Sequence, residues 1–315
     1  MDALPDIEQI RAAAARIAPY ARVTPVMRST VLDALTGAEL YFKCEHLQRG
    51  GAFKFRGACN AVWSLSDEQA AHGVVTHSSG NHGNALALAA ATRGIVAHVV
   101  VPEGAVRAKV AAIEHAGAIL HRCAPTQAAR EAKCAEVQRE TGAELVHPYA
   151  DTRVMAGQGT VALELLQHAP ALDALITPVG GGGLASGVAI AAHALNPQLA
   201  LFGAEPQGAD DAAQSLIHNQ RVTDVMPNTL CDGLRALIGL SNLDALGRHH
   251  VQVITVTDAE TIAAMQLIWS ELKQVVEVSS ATALAAILKQ PDRFAGRRVG
   301  VVITGGNVDL QSLPW

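Results

Sequence analysis

A short apolar run, a turn of small residues and a helical stretch recur along this chain, and that order leaves few architectures open. Gly73–Thr76 reads as a buried strand, His77–Gly83 as a turn and Asn84–Thr92 as an Ala/Leu helix. Val96–Val101, closed by Pro102, predicts the next strand and Val106–His115 the next helix. Ala118–Cys123 and Glu144–Val146 predict two more strands, separated by a charged helix around Thr126–Glu140. Ala174–Pro178, Leu199–Ala204 and Val299–Ile303 continue the series, with Leu184–Leu195 as an intervening helix. Continuous apolar strands alternating with helices belong to parallel sheets covered on both faces. The fold class is therefore α/β, and a ligand is expected at the carboxyl ends of the strands.

Composition narrows what such a fold can serve. At 315 residues the chain can bury the cores of one large or two moderate domains. It carries 17% charged residues and a net charge of −5, which offers no basic surface for nucleic acid. Aromatics at 3% are too few for a stacking platform. The five cysteines (Cys44, Cys59, Cys123, Cys134, Cys231) are scattered without C-x-x-C spacing, so neither a disulfide framework nor a thiolate zinc site is expected. The segment Met1-Asp2-Ala3-Leu4-Pro5-Asp6 has neither the basic nor the apolar region of a signal peptide. No uninterrupted apolar run approaches ~18 residues. A cytoplasmic protein with no membrane or nucleic-acid partner is expected. The 13 histidines show no H-E-x-x-H spacing, and none is assigned a catalytic role.

Ile176-Thr177-Pro178-Val179 runs into Gly180-Gly181-Gly182-Gly183 and then a helix from Leu184. Four glycines between a strand and a helix expose consecutive N–H groups beside a positive helix end, an anion cradle suited to a phosphate. A turn that merely permits tight packing is the plainer alternative, at considerable cost in backbone entropy. Gly180-x-Gly182-x-x-Ala185 also fits the permissive dinucleotide fingerprint, with Glu205 placed where an acid would grip a ribose.

Two further motifs weigh against the dinucleotide. In Arg49-Gly50-Gly51-Ala52-Phe53-Lys54-Phe55-Arg56-Gly57-Ala58, the lysine is flanked by apolar residues. Desolvation there favours the neutral amine and prepares it for Schiff-base chemistry. Thr76-His77-Ser78-Ser79-Gly80-Asn81-His82-Gly83 follows a strand and opens a helix, so its N–H groups and hydroxyls can bind a carboxylate. A helix cap needs only one such residue, and this loop supplies several. Both motifs resemble those of the serine/threonine dehydratase and serine racemase group of pyridoxal-phosphate enzymes. The resemblance runs from about Thr24-Pro25 to Asn307. Ala52 stands where the group often has Ser, so any hydroxyl contact there is lost.

The resemblance implies a fold type II (tryptophan synthase β-like) enzyme: two parallel-sheet αβα domains with the cofactor in the cleft between them. Residues 1–69 and 151–315 would form the large domain and 70–150 the small mobile one. Pyridoxal 5′-phosphate would be held by Lys54, with Phe53, Asn81 at its ring hydroxyl, Gly180, Gly181, Gly182, Gly183 and Leu184 at its phosphate, and Thr304 at its ring nitrogen. Ser78, Ser79, Gly80, Asn81 and His82 would bind the substrate, an amino acid, with Ser79 on the face opposite Lys54. Tyr149 and Asp151, just after His147-Pro148, and Arg130, placed to greet a second carboxylate, are candidates for selectivity. A solvated helix arginine is the plainer reading of Arg130. Glu205, the Ala209 carbonyl and Asp211 resemble a Mg²⁺ or Ca²⁺ site; acids favoured at a helix start are the alternative. The implied activity is dehydration of a β-hydroxy amino acid such as L-threonine, L-serine or 3-hydroxyaspartate. A racemase shares every one of these residues. A cofactor-binding module without activity is the remaining alternative, opposed by intact Lys54 and Ser79. The resemblance also favours a homodimer. Because the chain ends at Trp315, soon after Thr304-Gly305-Gly306-Asn307, a catabolic type without feedback by isoleucine is expected.

Overall fold

The computed structural model describes residues 4–315, so the first three residues of the expected large domain lie outside the described residues. Its ten strands are β1 (Val26–Met27), β2 (Glu39–Cys44), β3 (Val74–Thr76), β4 (Ala97–Pro102), β5 (Ile119–Cys123), β6 (Glu144–Leu145), β7 (Ala174–Pro178), β8 (Ala200–Pro206), β9 (Gln252–Val256) and β10 (Arg298–Ile303). They form a six-stranded sheet in the order β1-β2-β10-β7-β8-β9 and a four-stranded sheet in the order β5-β4-β3-β6. Every pairing is parallel except β1 with β2, an antiparallel edge of two residues that the strand-helix alternation did not foretell. β7 is buried along its whole length and β10 along all but its first residue, because helices cover both faces.

One boundary differs where it matters. The turn expected over His77–Gly83 ends at Gly80, and the helix is Asn81–Arg93. Gly83 permits this, since a Cβ there would lie 2.1 Å from the Ser78 carbonyl oxygen; only glycine lets the loop fold back on the helix that follows. Asn81 becomes the first helical residue.

Three helices lock the lysine motif and the glycine loop together. Helix Thr152–His168 packs against both Lys54–Trp63 and Gly183–Leu195. The approach is closest at glycines: a Cβ on Gly157 would sit 2.6 Å from the Gly57 Cα, and one on Gly187 would sit 2.3 Å from the Met155 carbonyl. The lysine and the glycine loop are thus carried on the two flanks of one helix. Among the described residues no helix is long and apolar enough to cross a membrane.

Candidate active site

The carboxyl ends of β3, β7, β8 and β10 carry the serine loop, the glycine loop, the Glu205–Asp211 segment and the Thr304 turn, and the lysine motif follows β2. Lys54 opens its helix immediately after a short bridge from Ala52 to Gly305. The Phe53 N–H donates to the Thr304 carbonyl at 2.9 Å, so the lysine loop is pinned to the end of β10. The Lys54 ammonium donates to the Pro148 carbonyl at 2.9 Å and lies 5.2 Å from the Phe53 ring centre. Burial lowers its pKa from 10.5 to about 8, against the opposing pull of Glu277. That is the desolvated amine the motif implied.

Gly180–Gly183 leads from β7 into helix Gly183–Leu195, with Gly182 left-handed at φ 89°. All four glycines are buried. A Cβ on Gly181 would fall 2.4 Å from the Tyr149 ring, and one on Gly180 would fall 2.9 Å from the Leu234 Cα. The first N–H groups of a helix have no intrahelical partner, so this end offers donors and a positive dipole to an anion. Tyr149 follows Pro148, so the residue that packs on the cradle adjoins the acceptor of Lys54.

The serine loop joins the same space. Asn81 donates through Nδ2 to both carboxylate oxygens of Glu277, at 2.9 and 3.1 Å, and accepts from Asn307 Nδ2 at 2.9 Å. Thr304 lies at the end of β10 with its hydroxyl 2.9 Å from that of Ser280. Ser78, Ser79 and Gly80 are partly exposed. The His82 ring is instead turned inward, its Nε2 3.1 Å from the Val146 carbonyl. Burial, and then the charge of Lys54, hold its pKa well below the ordinary value, so the imidazole is neutral. The His82 side chain is thus engaged inside the protein, away from the exposed face of the loop.

The selectivity candidates divide. Tyr149 lies on the glycine cradle and meets the His147 ring edge-on at 4.6 Å. The charge of Arg130 acts on both His77 and Tyr149. Among the described residues its buried Nε finds no acceptor. The Asp151 side chain is engaged elsewhere: it caps helix Thr152–His168 and accepts from Arg153 Nε and Nη2.

Glu205 accepts from the Ala212 and Ala213 amides at 3.0 and 2.9 Å, so it is held by a helix start and is not free to grip a ribose. Asp211 accepts from the Ile238 amide at 2.7 Å, and the Ala209 carbonyl belongs to the turn between the two acids. Burial raises the Glu205 pKa to about 9 and that of Asp211 to about 6. Two buried carboxylates of this kind fit a hard cation with oxygen ligands. Among the described residues no three His, Cys, Asp or Glu side chains gather for a metal.

Sequence reading missed Glu277 and Asn307. Glu277 precedes an apolar helix and reads there as an ordinary N-terminal acid; only its distant partner Asn81 distinguishes it. Asn307 ends the Thr304–Asn307 turn, and nothing local in the sequence attaches a function to it.

A family model described as "Pyridoxal-phosphate dependent enzyme" matches residues 17–305. The chain is 48% identical to the beta-hydroxyaspartate dehydratase of Paracoccus denitrificans over 99% of each chain. It is also 48% identical to the serine racemase of Arabidopsis thaliana, over 98% of this chain and 95% of that one. The solved structure of maize serine racemase superposes with a TM-score of 0.96 at 46% identity, covering 98% of this chain and 95% of the other. The α/β architecture inferred from strand and helix alternation is therefore that of fold type II enzymes.

Proposed function

The chain belongs to the pyridoxal-phosphate dependent enzyme family, and on that premise we propose that it removes water from a β-hydroxy amino acid, releasing a 2-oxo acid and ammonia. One observation carries the reading. The desolvated Lys54 amine stands at the junction of the glycine cradle, the Thr304 turn and the serine loop. Phe53, Lys54, Asn81, Gly180–Gly183, Leu184 and Thr304 would hold the cofactor. When bound, pyridoxal 5′-phosphate would supply the aldehyde that takes the substrate amine and the conjugated system that spreads the charge left at Cα.

The protein's own groups do the rest. The N–H groups and hydroxyls of Ser78–His82 receive the substrate carboxylate. Lys54, neutral above about pH 8, removes the Cα proton. The β-hydroxyl departs with a proton as water, and the dehydrated product hydrolyses to the 2-oxo acid and ammonia. A neutral hydroxyl such as that of Thr304 leaves a ring nitrogen largely unprotonated, which suits elimination better than transamination. The substrate class we favour is a dicarboxylic β-hydroxy amino acid, 3-hydroxyaspartate: Arg130, whose buried Nε–H has no partner among the described residues and whose charge acts on Tyr149, would receive the second carboxylate. Racemisation is a second reading, supported by the partly exposed Ser79 and by the relatives named serine racemase.

Glu205, the Ala209 carbonyl and Asp211 would bind Mg²⁺ or Ca²⁺, which would balance two buried carboxylates. We divide the chain into a large domain of 1–69 with 151–315 and a mobile small domain of 70–150. A homodimer is our reading of its assembly, in keeping with Ile217 and Met226 at 78% and 87% exposure. Five free cysteines suit a reducing, cytoplasmic setting.

The test is to add pyridoxal 5′-phosphate to the purified protein and record the visible absorption. L-serine, L-threonine and 3-hydroxyaspartate are then supplied in turn while 2-oxo acid, ammonia and product chirality are followed. A visible band lost in Lys54→Ala, with 2-oxo acid formed from one of the three, is expected. No such band would overturn the reading; inversion of configuration without 2-oxo acid would leave the racemase in its place.

A further inference from the structure

Glu277 lies inside this site, and none of the roles above uses it. It occupies the N-cap position of helix Val278–Lys289, yet its carboxylate makes no bond to that helix. Both oxygens turn instead to Asn81 Nδ2, a residue 196 positions away in sequence. The opposite end of the same amide is also fixed. Asn81 Oδ1 accepts from Asn307 Nδ2, which is anchored in turn on the Gly50 carbonyl at 2.8 Å. The carboxylate has little room to move, since a Cβ on Gly305 would lie 2.6 Å from its Oε1. The Glu277 N–H also donates to the Gly305 carbonyl at 3.0 Å.

The two ends of an amide are alike in shape and opposite in hydrogen bonding. An ionised carboxylate only accepts, so it selects the NH₂ end of Asn81, and the Asn307 donor selects the oxygen end. One N–H of Asn81 can be shared between the two carboxylate oxygens. The second is then left to point at an acceptor in the cleft.

We propose that Glu277 is a positioning residue that orients the Asn81 amide, so that its remaining N–H meets the ring oxygen of bound pyridoxal 5′-phosphate. This rests on the Lys54-centred reading above. Several groups face Glu277: Lys54 from its helix, Lys109 from helix Arg107–His115, Asp232 from the turn Asp232–Leu234, and the Asn307 main chain. Lys109 and Asp232 also pair with each other. Burial outweighs these contacts, reinforced by Asp232, and lifts the Glu277 pKa to about 7. Above that pH the carboxylate is a pure acceptor and the amide is locked. Below it, a carboxyl proton competes as a donor and the lock loosens, so the cofactor is held better on the alkaline side.

The experiment strips the cofactor and measures the dissociation constant of pyridoxal 5′-phosphate itself on both sides of pH 7. Wild type, Glu277→Gln, Glu277→Asp, Asn81→Ala and the double variant Asn81→Ala/Glu277→Gln are compared. Glu277→Gln keeps the shape but cannot ionise, and it should raise the constant about tenfold or more at alkaline pH. The wild-type advantage should shrink as the pH falls through about 7. Glu277→Asp should restore part of the affinity together with the pH step. In the Asn81→Ala background Glu277→Gln should have no further effect, because the carboxylate acts through the amide. Unchanged binding in Glu277→Gln, a step near pH 7 that survives it undiminished beside the rise that Lys54 sets near 8, or its full effect without Asn81 would each overturn the proposal. If Glu277→Gln does not fold, unchanged binding in Glu277→Asp overturns it equally. Failure of the wild type to bind through Lys54 would instead remove the reading on which this one rests.

Discussion

Arg56, two residues beyond Lys54, should be the side chain whose removal costs the fold most. Its guanidinium is fully buried and bonds Glu45 at 2.7 and 2.8 Å and Glu164 at 2.7 Å from both Nη atoms. Lys43, also fully buried, bonds Glu164 at 2.6 Å, so two cations face two carboxylates. Arg56→Met keeps the bulk and leaves two carboxylates against one lysine. Removing one partner of a buried pair typically costs about 3–5 kcal/mol, a large share of the ~5–15 kcal/mol that holds a domain together. Equilibrium urea unfolding of the cofactor-free protein, followed by tryptophan fluorescence, reads the loss as a fall in midpoint. Adding Glu164→Gln returns the site to one cation and one carboxylate, and should recover about 1 kcal/mol or more. A loss under about 1 kcal/mol in Arg56→Met, or no recovery in the double variant, would refute the argument that charge balance holds this helix in place.

Lys54 should behave in the opposite way. Its folded pKa of about 8 lies below 10.5, so between those values the unfolded chain binds more protons, and stability falls as the pH drops across that window. Below about 8 the full cost is present, and Lys54→Met should stabilise the cofactor-free protein at neutral pH by about 1–3 kcal/mol, read as a higher urea midpoint; the gain should vanish above 10.5. The rate at which Lys54 captures added pyridoxal 5′-phosphate should climb with pH and level off near 8, as read by stopped-flow absorbance. Gly181→Ala places a Cβ 2.4 Å from the Tyr149 ring, so inorganic phosphate and the cofactor should both lose affinity in calorimetric titrations. Arg130→Leu should lower kcat/KM for 3-hydroxyaspartate by about 10- to 100-fold while sparing L-serine, since only the dicarboxylate presents a second anion to the guanidinium.

What the sequence made legible was whatever is written locally. The strands β3, β4, β7, β8 and β10 lie within two residues of their expected limits, because runs such as Val99–Val101 and Ala174–Pro178 are buried on both faces and carry no competing helical period. β9 went unread: its burial alternates at a sheet edge, and Gln252-Val253-Ile254-Thr255-Val256 has no flanking glycine turn to announce it. β2 went unread as well, since the charged Glu39 and Lys43 interrupt its apolar run, and Lys43 is buried only because Glu164 and the Thr24 carbonyl receive it. The lysine and serine loops were found because each concentrates its chemistry in fewer than a dozen residues. Glu277, Asn307 and the contact of Tyr149 with Gly181 escaped because their meaning lies in partners far away along the chain.

The contrast between the two sets of buried charge separates fold from function. Around Arg56 every cation has a carboxylate and every carboxylate a cation, so the group sits at low cost with nothing else bound. Around Lys54 the balance is not met. Lys54 near 8 and Glu277 near 7 are both pushed toward their neutral forms by burial. Such groups are a liability to stability, and they persist where a bound anion or a proton transfer gives them a use. On that criterion Arg56 belongs to the scaffold although it stands in the lysine motif, while Glu277 belongs to the site although no motif contains it. Substitutions in the first set should lower stability and leave the pH dependence of cofactor binding unchanged; those in the second should change that pH dependence at little cost to stability.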